Sequence, residues 1–257
     1  MSPEAADLFE PLDFSLIPNS ADLDPKLVGE NWIAGPVTYS AVLAWNTEKY
    51  GDNPPRNWAD FFDVEKFPGT RALYAQPRFM LEAALLGDGA APASIYPLDV
   101  ERAIAKIEGF RDNIQIFYTS HGQSVQMAKD GEVDMMAMLD GRAGAAIKDG
   151  APFAYTYEQG IIDTGCLAVL KGAPNAQNAM RVINELIAPE NQANIPLTFA
   201  YGPVNPKAFD VGKIPADLAE TLNSAPANLA KQIVLDSGWW AQHETAVQPQ
   251  WDAVLQQ

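Results

Sequence analysis

The sequence predicts an α/β protein with two lobes and mainly parallel sheets. Strand-like apolar runs alternate with helix-like segments from residue 71 to residue 188, the order typical of parallel sheets covered by helices. The chain has 257 residues, a length that suits one large domain or two lobes. Its residues are 47% hydrophobic and 19% charged, which indicates a globular protein.

The elements follow one another with few interruptions. Strands are predicted, in chain order, over residues 37–45, 71–75, 114–119, 133–139, 153–157 and 165–170. Helices are predicted over residues 57–62, 77–86, 97–110, 123–130, 141–148, 175–188 and 239–255, the last with a break at Pro249. Pro77 suits the first turn of its helix, where the missing N–H is not needed. The nearly continuous apolar run at 133–139 indicates a strand buried on both faces.

Composition excludes several functions. With 17 Lys and Arg against 33 Asp and Glu, the formal charge is −16, which argues against nucleic acid or an anionic membrane as partner. Cys166 is the single cysteine, and His121 and His243 are the two histidines. An intrachain disulfide and a Cys/His zinc site are therefore excluded, and we expect no metal and no cofactor. No nucleophile elbow, P-loop or paired-carboxylate motif is found, so catalysis is not predicted.

Several sequence blocks resemble the extracellular solute-binding proteins of ABC importers, in the group for polyamines and aminobutyrate-like amines. The block at 131–143 (GEVDMMAMLDGRA) carries the resemblance first. The other blocks, colinear with those of the family, are 57–62, 81–86, 96–103, 119–124, 171–175, 201–206 and 239–240.

The resemblance implies a type 2 periplasmic-binding-protein fold, in which two lobes joined by a hinge hold the ligand between them. It implies a partial lobe 1 over residues 1–70, lobe 2 over 71–164 and a return to lobe 1 over 165–231. Residues 232–257 are expected to form a C-terminal helix near the hinge or lobe 2. The chain should cross between lobes near 69–73 and 161–168.

The resemblance also bears on location. Family members are periplasmic, yet residues 1–7 (MSPEAAD) have neither the basic nor the apolar region of a signal peptide. The segment at 9–13 resembles the part of the family that follows the signal and two βα units. We therefore expect this chain to lack them and lobe 1 to be incomplete.

The predicted function is that of the substrate-binding component of an ABC importer. Its expected partners are a small amine or amino-acid-like solute and the membrane permease subunits, and the protein is expected to be a monomer. Two alternatives stay open: an enzyme or transferase on the same fold, and a non-binding fragment of such a receptor.

The first candidate ligand residues follow the strand at 133–139. The family motif Trp-Asn-Gly-Arg reads Leu139-Asp140-Gly141-Arg142 here, at the carboxyl end of a strand, where ligands bind in open α/β sheets. Arg142 is predicted to hold a carboxylate with its planar fork or to serve the hinge, the alternative being a surface arginine. Asp140 is predicted to pair with an ammonium or to cap the next helix.

A second set distinguishes this chain from the polyamine binders it resembles. Those carry carboxylates where this chain has Gln76, Phe79 and Gly165, and Asp163 lies two residues from the last of these. We expect Asp163 to be a ligand carboxylate or a solvated loop residue. Gln76 and Arg78 are predicted to favour an anionic group, the alternative for Arg78 being a solvated helix residue. A zwitterion with one carboxylate is thus favoured over a long polyamine.

Four further residues complete the predicted site. Thr119 and Ser120 end a strand and are expected to donate to the ligand or to cap a helix. Tyr39 is expected to border the ligand or to pack within its strand. Trp240 is expected mainly to pack, with ligand stacking as the alternative, whereas His121 and His243 are interpreted as ordinary loop and helix residues.

Overall fold

The computed structural model describes residues 7–256, so the N-terminal expectation for residues 1–6 lies outside it. The chain divides into two compact units. Unit 1 consists of residues 7–39 and Asp163–Asn228, and unit 2 consists of Ser40–Ile162 and residues 229–256. The α/β fold class is confirmed.

Two long strands belong partly to each unit. Strand β1 (Ile33–Asn46) passes from unit 1 to unit 2 after Tyr39, and β5 (Phe153–Leu167) returns after Ile162. The first boundary between the two units, after Tyr39, therefore lies well before the lobe boundary predicted near residue 70. The physical reason is that residues 47–70 pack with the strand that follows them: the Arg71 guanidinium, for example, donates to the carbonyl of Phe61.

Unit 2 contains the parallel strands that the alternation of strand-like and helix-like segments in the sequence predicts. Besides its parts of β1 and β5, unit 2 contains four further strands: β2 (Arg71–Tyr74), β3 (Ile116–Tyr118), β4 (Met135–Leu139) and β7 (Ile233–Val234). Strand β2 lies between β3 and β4 and is parallel to both. The segment 41–45 of β1 pairs with β4 in antiparallel register, and β5 is parallel to β7.

Most helices of unit 2 bury one face, whereas the helix at Met80–Gly87 is buried over Met80–Leu86. The helices of this unit are α1 (Thr47–Tyr50), α2 (Trp58–Phe61), α3 (Met80–Gly87), α4 (Val100–Phe110), α5 (His121–Asp130), α6 (Asp140–Lys148) and, at the C-terminus, α12 (Ser237–Leu255). Buried residues of β4, α5 and α6, among them Met136, Met127 and Ala143, share one core. This core fixes the helices that start at the carboxyl ends of the strands.

Unit 1 is richer in short helices. After the shared strands, its elements are α7 (Ala176–Leu186), α8 (Pro189–Gln192), α9 (Ile195–Thr198), β6 (Gly202–Pro203), α10 (Ala216–Thr221) and the start of α11 (Pro226–Leu229). Strand β6 pairs antiparallel with β1 at Val37 and Thr38. Ile33, Val169 and Ile183 belong to its core.

Two sequence predictions are corrected. The strands predicted at 153–157 and 165–170 are one strand, β5, which continues through Gln159 although that residue has a φ of 57°. Helix α12 continues through Pro249 rather than breaking there. Pro249 offers no N–H, so the helix lacks the bond from position 249 to the Thr245 carbonyl; in the same turn the Gln250 side-chain amide donates to the next carbonyl, that of Ala246, at 3.2 Å. Among residues 7–256, no helix combines the length and apolarity needed to cross a bilayer.

Candidate functional site

The carboxyl ends of β2, β3 and β4 lie at one edge of the parallel strands of unit 2, because neighbouring parallel strands end on the same side. Five predicted residues follow these strand ends: Gln76 after β2, Thr119 and Ser120 after β3, and Asp140 and Arg142 after β4. All except Asp140 are exposed. This edge therefore presents a cation, an amide and two hydroxyls.

Asp140 is a buried anchor. It is 1% exposed, and its carboxylate accepts hydrogen bonds from the Ser40 amide at 3.0 Å, the Gly141 amide at 2.8 Å and the Tyr157 hydroxyl at 3.2 Å. Burial, with the neighbouring charge of Asp140, raises the pKa of Tyr157, which keeps that phenol a donor. The helix starts at Asp140 itself, with Leu139 as its N-cap, so the bond to the adjacent Gly141 amide is not the predicted side-chain cap. The bonds to Ser40 and Tyr157 tie the start of α6 to β1 and β5.

Arg142 lies two residues further on and is exposed. Its charge acts on His121, the first residue of α5, since it contributes to lowering the pKa of that imidazole after the larger effect of burial. The His121 ring lies against Tyr74 of β2, with centroids 4.8 Å apart. Sequence reasoning interpreted His121 as an ordinary loop residue; its position three residues after the end of β3 places it at this edge.

Ser120 is the N-cap of α5; capping is one of the two roles predicted for it. Its Oγ accepts from the Gln123 amide at 3.3 Å, and the Gln123 side chain accepts in return from the Thr119 amide at 3.0 Å. This arrangement is a variant of the capping box, in which the Gln123 side chain binds the amide of the residue before the cap rather than that of the cap itself. The Thr119 side chain is exposed at the same edge.

The helix after β2 starts later than predicted. It begins at Met80, preceded by Phe79 with a φ of 72°, so Gln76 and Arg78 lie in a turn rather than in a first helical turn. The Arg78 guanidinium carbon is 5.8 Å from the Trp240 ring, and the side chain is only half exposed. Arg78 is therefore not the solvated helix residue of the alternative interpretation.

Trp240 is completely buried. Its indole N–H donates to Glu82 Oε1 at 2.7 Å, and the Tyr96 hydroxyl donates to the same oxygen at 2.7 Å. Burial raises the pKa of Glu82, against the opposing effect of these two donors. The structure thus favours packing over ligand stacking for Trp240, and it reveals a buried carboxyl group that sequence reasoning missed because Glu82 reads as an ordinary helix residue.

In unit 1, Tyr39 and Asp163 form a pair. The Tyr39 hydroxyl donates to Asp163 Oδ2 at 3.2 Å, and the Thr164 amide donates to Oδ1 at 2.8 Å. Asp163 is 7% exposed, so it is not a solvated loop residue. A Cβ on Gly165 would lie 2.5 Å from the Gly35 carbonyl oxygen. The backbone therefore excludes a side chain at 165, including the carboxylate that the resemblance leads us to expect in polyamine binders.

A second polar group in unit 1 was not predicted. Thr38 Oγ1 donates to Asn223 Oδ1 at 2.7 Å, and both residues are buried. A Cβ on Gly202 would lie 2.6 Å from Thr38 Oγ1 and even closer to Asn223 and Ser224. The glycine is thus required by close approach, and no local pattern in the sequence brings residues 38, 202 and 223 together.

Among the described residues 7–256, no group of three or more His, Cys, Asp or Glu residues is arranged to hold a metal ion. The predicted site residues form separate sets. Gln76, Thr119, Ser120 and Arg142 share the edge of unit 2, Arg78 and Trp240 lie beside each other in that unit, and Tyr39 and Asp163 are paired in unit 1.

Comparison with known proteins gives a consistent result. Residues 4–224 match the family model described as bacterial extracellular solute-binding protein. The crystal structure of an ABC transporter substrate-binding protein from Bradyrhizobium japonicum superposes with a TM-score of 0.94 at 43% identity, covering 98% of this chain and 78% of that one.

Two curated relatives carry names that state a ligand. The gamma-aminobutyric acid-binding protein of Pseudomonas aeruginosa is 33% identical over 251 residues, which are 96% of this chain and 70% of that protein. The spermidine/putrescine-binding periplasmic protein of Escherichia coli is 25% identical over 203 residues, 76% of this chain. The match spans 57% of the length of that second protein.

Proposed function

This chain belongs to the bacterial extracellular solute-binding proteins, and on that premise we propose that it binds an ω-amino acid for an ABC importer. The observation that carries the proposal is the exposed Arg142 at the strand edge of unit 2, which suits a carboxylate. Taken by itself, the buried Asp163 of unit 1 suits an ammonium.

The anion-binding half lies wholly in unit 2. Arg142 is in the first turn of α6, whose start is held by the buried Asp140. Guanidinium groups bind carboxylates with two parallel N–H donors. Gln76 and Thr119, exposed at the same edge, add uncharged groups able to donate to carboxylate oxygens.

The cation-binding half lies wholly in unit 1. Asp163 is held by Tyr39 and Thr164, so its carboxylate is oriented before any ligand arrives, which lowers the ordering cost of binding. Its burial strengthens the attraction to an ammonium compared with a carboxylate in water.

A long polyamine is less favoured. In place of the carboxylates of the polyamine binders it resembles, this chain has Gln76, Phe79 and Gly165. The higher identity to the gamma-aminobutyric acid-binding protein than to the spermidine/putrescine-binding protein supports the same choice.

The proposal includes the setting of the protein. It would act in the periplasm as a monomer that delivers its solute to the permease subunits of the importer. It would not be an enzyme, because the candidate site contains no nucleophile paired with a base.

The test compares three solutes that differ in one charged group each. Calorimetry and thermal-shift measurements would use γ-aminobutyrate, butyrate, which lacks the ammonium, and putrescine, which lacks the carboxylate. Because a ligand of the native state raises its melting temperature, we expect γ-aminobutyrate to bind most tightly and to stabilise most. Tighter binding of putrescine or spermidine would overturn the proposed ligand class.

A further inference from the structure

His121 lies where no functional role has yet been assigned, beside the proposed anion-binding residue. It is the first residue of α5, directly after the Ser120 cap. Its ring packs at 33° against Tyr74, whose ring packs in turn on Tyr118 with centroids 5.2 Å apart. The imidazole is therefore held in a fixed place at the edge where β2, β3 and β4 end.

One ring nitrogen of His121 lacks a hydrogen-bond partner in the part of the chain that the structure describes. Its Nδ1 is buried and has no hydrogen-bond partner among residues 7–256. A buried polar atom without a partner costs free energy, and a bound group that supplies one recovers it. Because an imidazole nitrogen can donate when it carries a proton, a carboxylate oxygen is a suitable partner.

The charged and titratable neighbours of His121 are known from each element packed against it. Strand β2 contributes Tyr74, whose ring packs in turn on Tyr118 of β3, and α6 contributes Arg142. The carboxylate of Asp140, also on α6, accepts bonds from Ser40, Gly141 and Tyr157. Of these neighbours, Arg142 is the cation that acts on the imidazole.

We propose that His121 is a second anion-binding residue, which together with Arg142 binds the carboxylate of the solute and gains a proton as it does so. This inference rests on the proposed function, since it assigns a second residue to its anion-binding half. It predicts a pH dependence that Arg142, a permanent cation, cannot provide.

The direction of that dependence follows from charge. In the unliganded protein, burial and then Arg142 lower the pKa of His121, so the imidazole is neutral at neutral pH. A carboxylate beside Arg142 offsets the positive charge and favours the imidazolium, which raises the pKa. Binding then takes up protons from solvent, and affinity increases as pH falls toward the pKa of the unliganded protein.

Nuclear magnetic resonance can follow this imidazole directly. With two histidines in the chain, His243→Gln assigns the signals. In the absence of ligand, we expect Arg142→Gln to raise the titration midpoint of the His121 imidazole. The variant Lys148→Gln, at the exposed end of α6, which also carries Arg142, should leave that midpoint unchanged. Acetate, compared with chloride at equal ionic strength, should raise the midpoint in the wild-type protein and not in Arg142→Gln.

Calorimetry with γ-aminobutyrate supplies the second readout. Affinity should increase about 3- to 6-fold from pH 8 to pH 6, in line with a pKa rise of about one unit. In His121→Gln the increase should be below about twofold, whereas His243→Gln should keep it. A midpoint of His121 that ignores both acetate and γ-aminobutyrate, or an equal pH dependence in His121→Gln, would overturn the proposal.

Failure of the proposed function would look different. In that case γ-aminobutyrate would not bind at any pH, while the response of His121 to acetate would still decide for or against its role as an anion-binding residue.

Discussion

The Tyr39 hydroxyl donates a hydrogen bond of 3.2 Å to the carboxylate of Asp163. Tyr39 is the last residue of unit 1 on β1, and Asp163 is the first residue of unit 1 when the chain returns on β5. The pair therefore joins the two strands where β1 leaves unit 1 and β5 enters it, and it holds the carboxylate proposed to bind the ammonium of the solute.

Replacing Asp163 by Asn should weaken γ-aminobutyrate binding about 30-fold or more. Losing one partner of a desolvated ion pair costs about 2–5 kcal/mol, and about 1.4 kcal/mol corresponds to tenfold in affinity. Asn keeps an acceptor for the Thr164 amide, so the fold should persist. Calorimetry of the variant is the measurement, with Asp217→Asn, an exposed acidic residue of α10, as the matched control.

The variant Tyr39→Phe tests the hydrogen bond to Asp163 separately from the charge of the Asp163 carboxylate. It removes the hydroxyl donor and leaves the carboxylate, so we expect a loss of affinity below about fivefold and a stability loss of about 1 kcal/mol. Full affinity in Asp163→Asn would contradict the assignment of Asp163, whatever the result for Tyr39→Phe.

Replacing Arg142 by Ala should weaken γ-aminobutyrate binding about 30-fold by the same arithmetic, while any affinity for putrescine should hardly change. Arg142→Lys should fall between, because Lys keeps the charge and loses the bidentate fork. Lys148→Ala, later on the same helix, is the control. A putrescine affinity that falls together with that for γ-aminobutyrate would assign Arg142 a structural role instead.

Glu82→Gln should change how stability depends on pH. Burial raises the pKa of Glu82 in the folded state, above an unfolded value of about 4.3. The stabilisation that comes from the protonated form is complete below the unfolded pKa and is lost as pH rises through the folded pKa. Gln cannot ionise and does not lose this stabilisation. The free energy of unfolding of Glu82→Gln, relative to that of the wild-type protein, should therefore increase as pH rises above about 4.3.

Urea unfolding of both proteins at several pH values measures that difference. Glu101→Gln, exposed in the first turn of α4, controls for the loss of a carboxylate in general. A difference that is constant with pH would show that Glu82 ionises as readily in the fold as in the unfolded chain.

Arg71→Met should destabilise unit 2 by about 3 kcal/mol or more. Arg71 is completely buried, and its guanidinium donates to the carbonyls of Phe61 and Gly69 at 2.7 Å each and to that of Phe67. Each acceptor left buried without a partner costs about 1–3 kcal/mol. Urea unfolding is the measurement, and Arg56→Met, an exposed arginine, is the control. A loss below about 1 kcal/mol would contradict this account.

Much of the fold could be predicted because it follows local patterns. The apolar run at 133–139 predicts β4, and Ser120 and Asp140 mark the starts of α5 and α6. The start of α3 could not be predicted, since it depends on a positive φ at Phe79 that no local rule assigns to an aromatic residue.

The candidate site divides in the same way. Arg142 and Ser120 follow strand ends, and Arg142 also matches the family motif, so both could be proposed from the sequence. The burial of Asp140 could not, because its partners Ser40 and Tyr157 come from distant segments. For the same reason Glu82 was overlooked: its donors Tyr96 and Trp240 are brought to it by tertiary packing.

The anchoring of α6 by Asp140 has a practical consequence for engineering. Asp140 holds the helix start through bonds to Ser40, Gly141 and Tyr157, whereas the exposed Arg142 leaves those bonds untouched when it is replaced. Position 142 is therefore suited to saturation mutagenesis for biosensors with altered selectivity, because the scaffold that presents the varied side chain stays constant. Libraries that randomise 140 and 142 together would lose most members to misfolding, and position 140 should be kept as Asp.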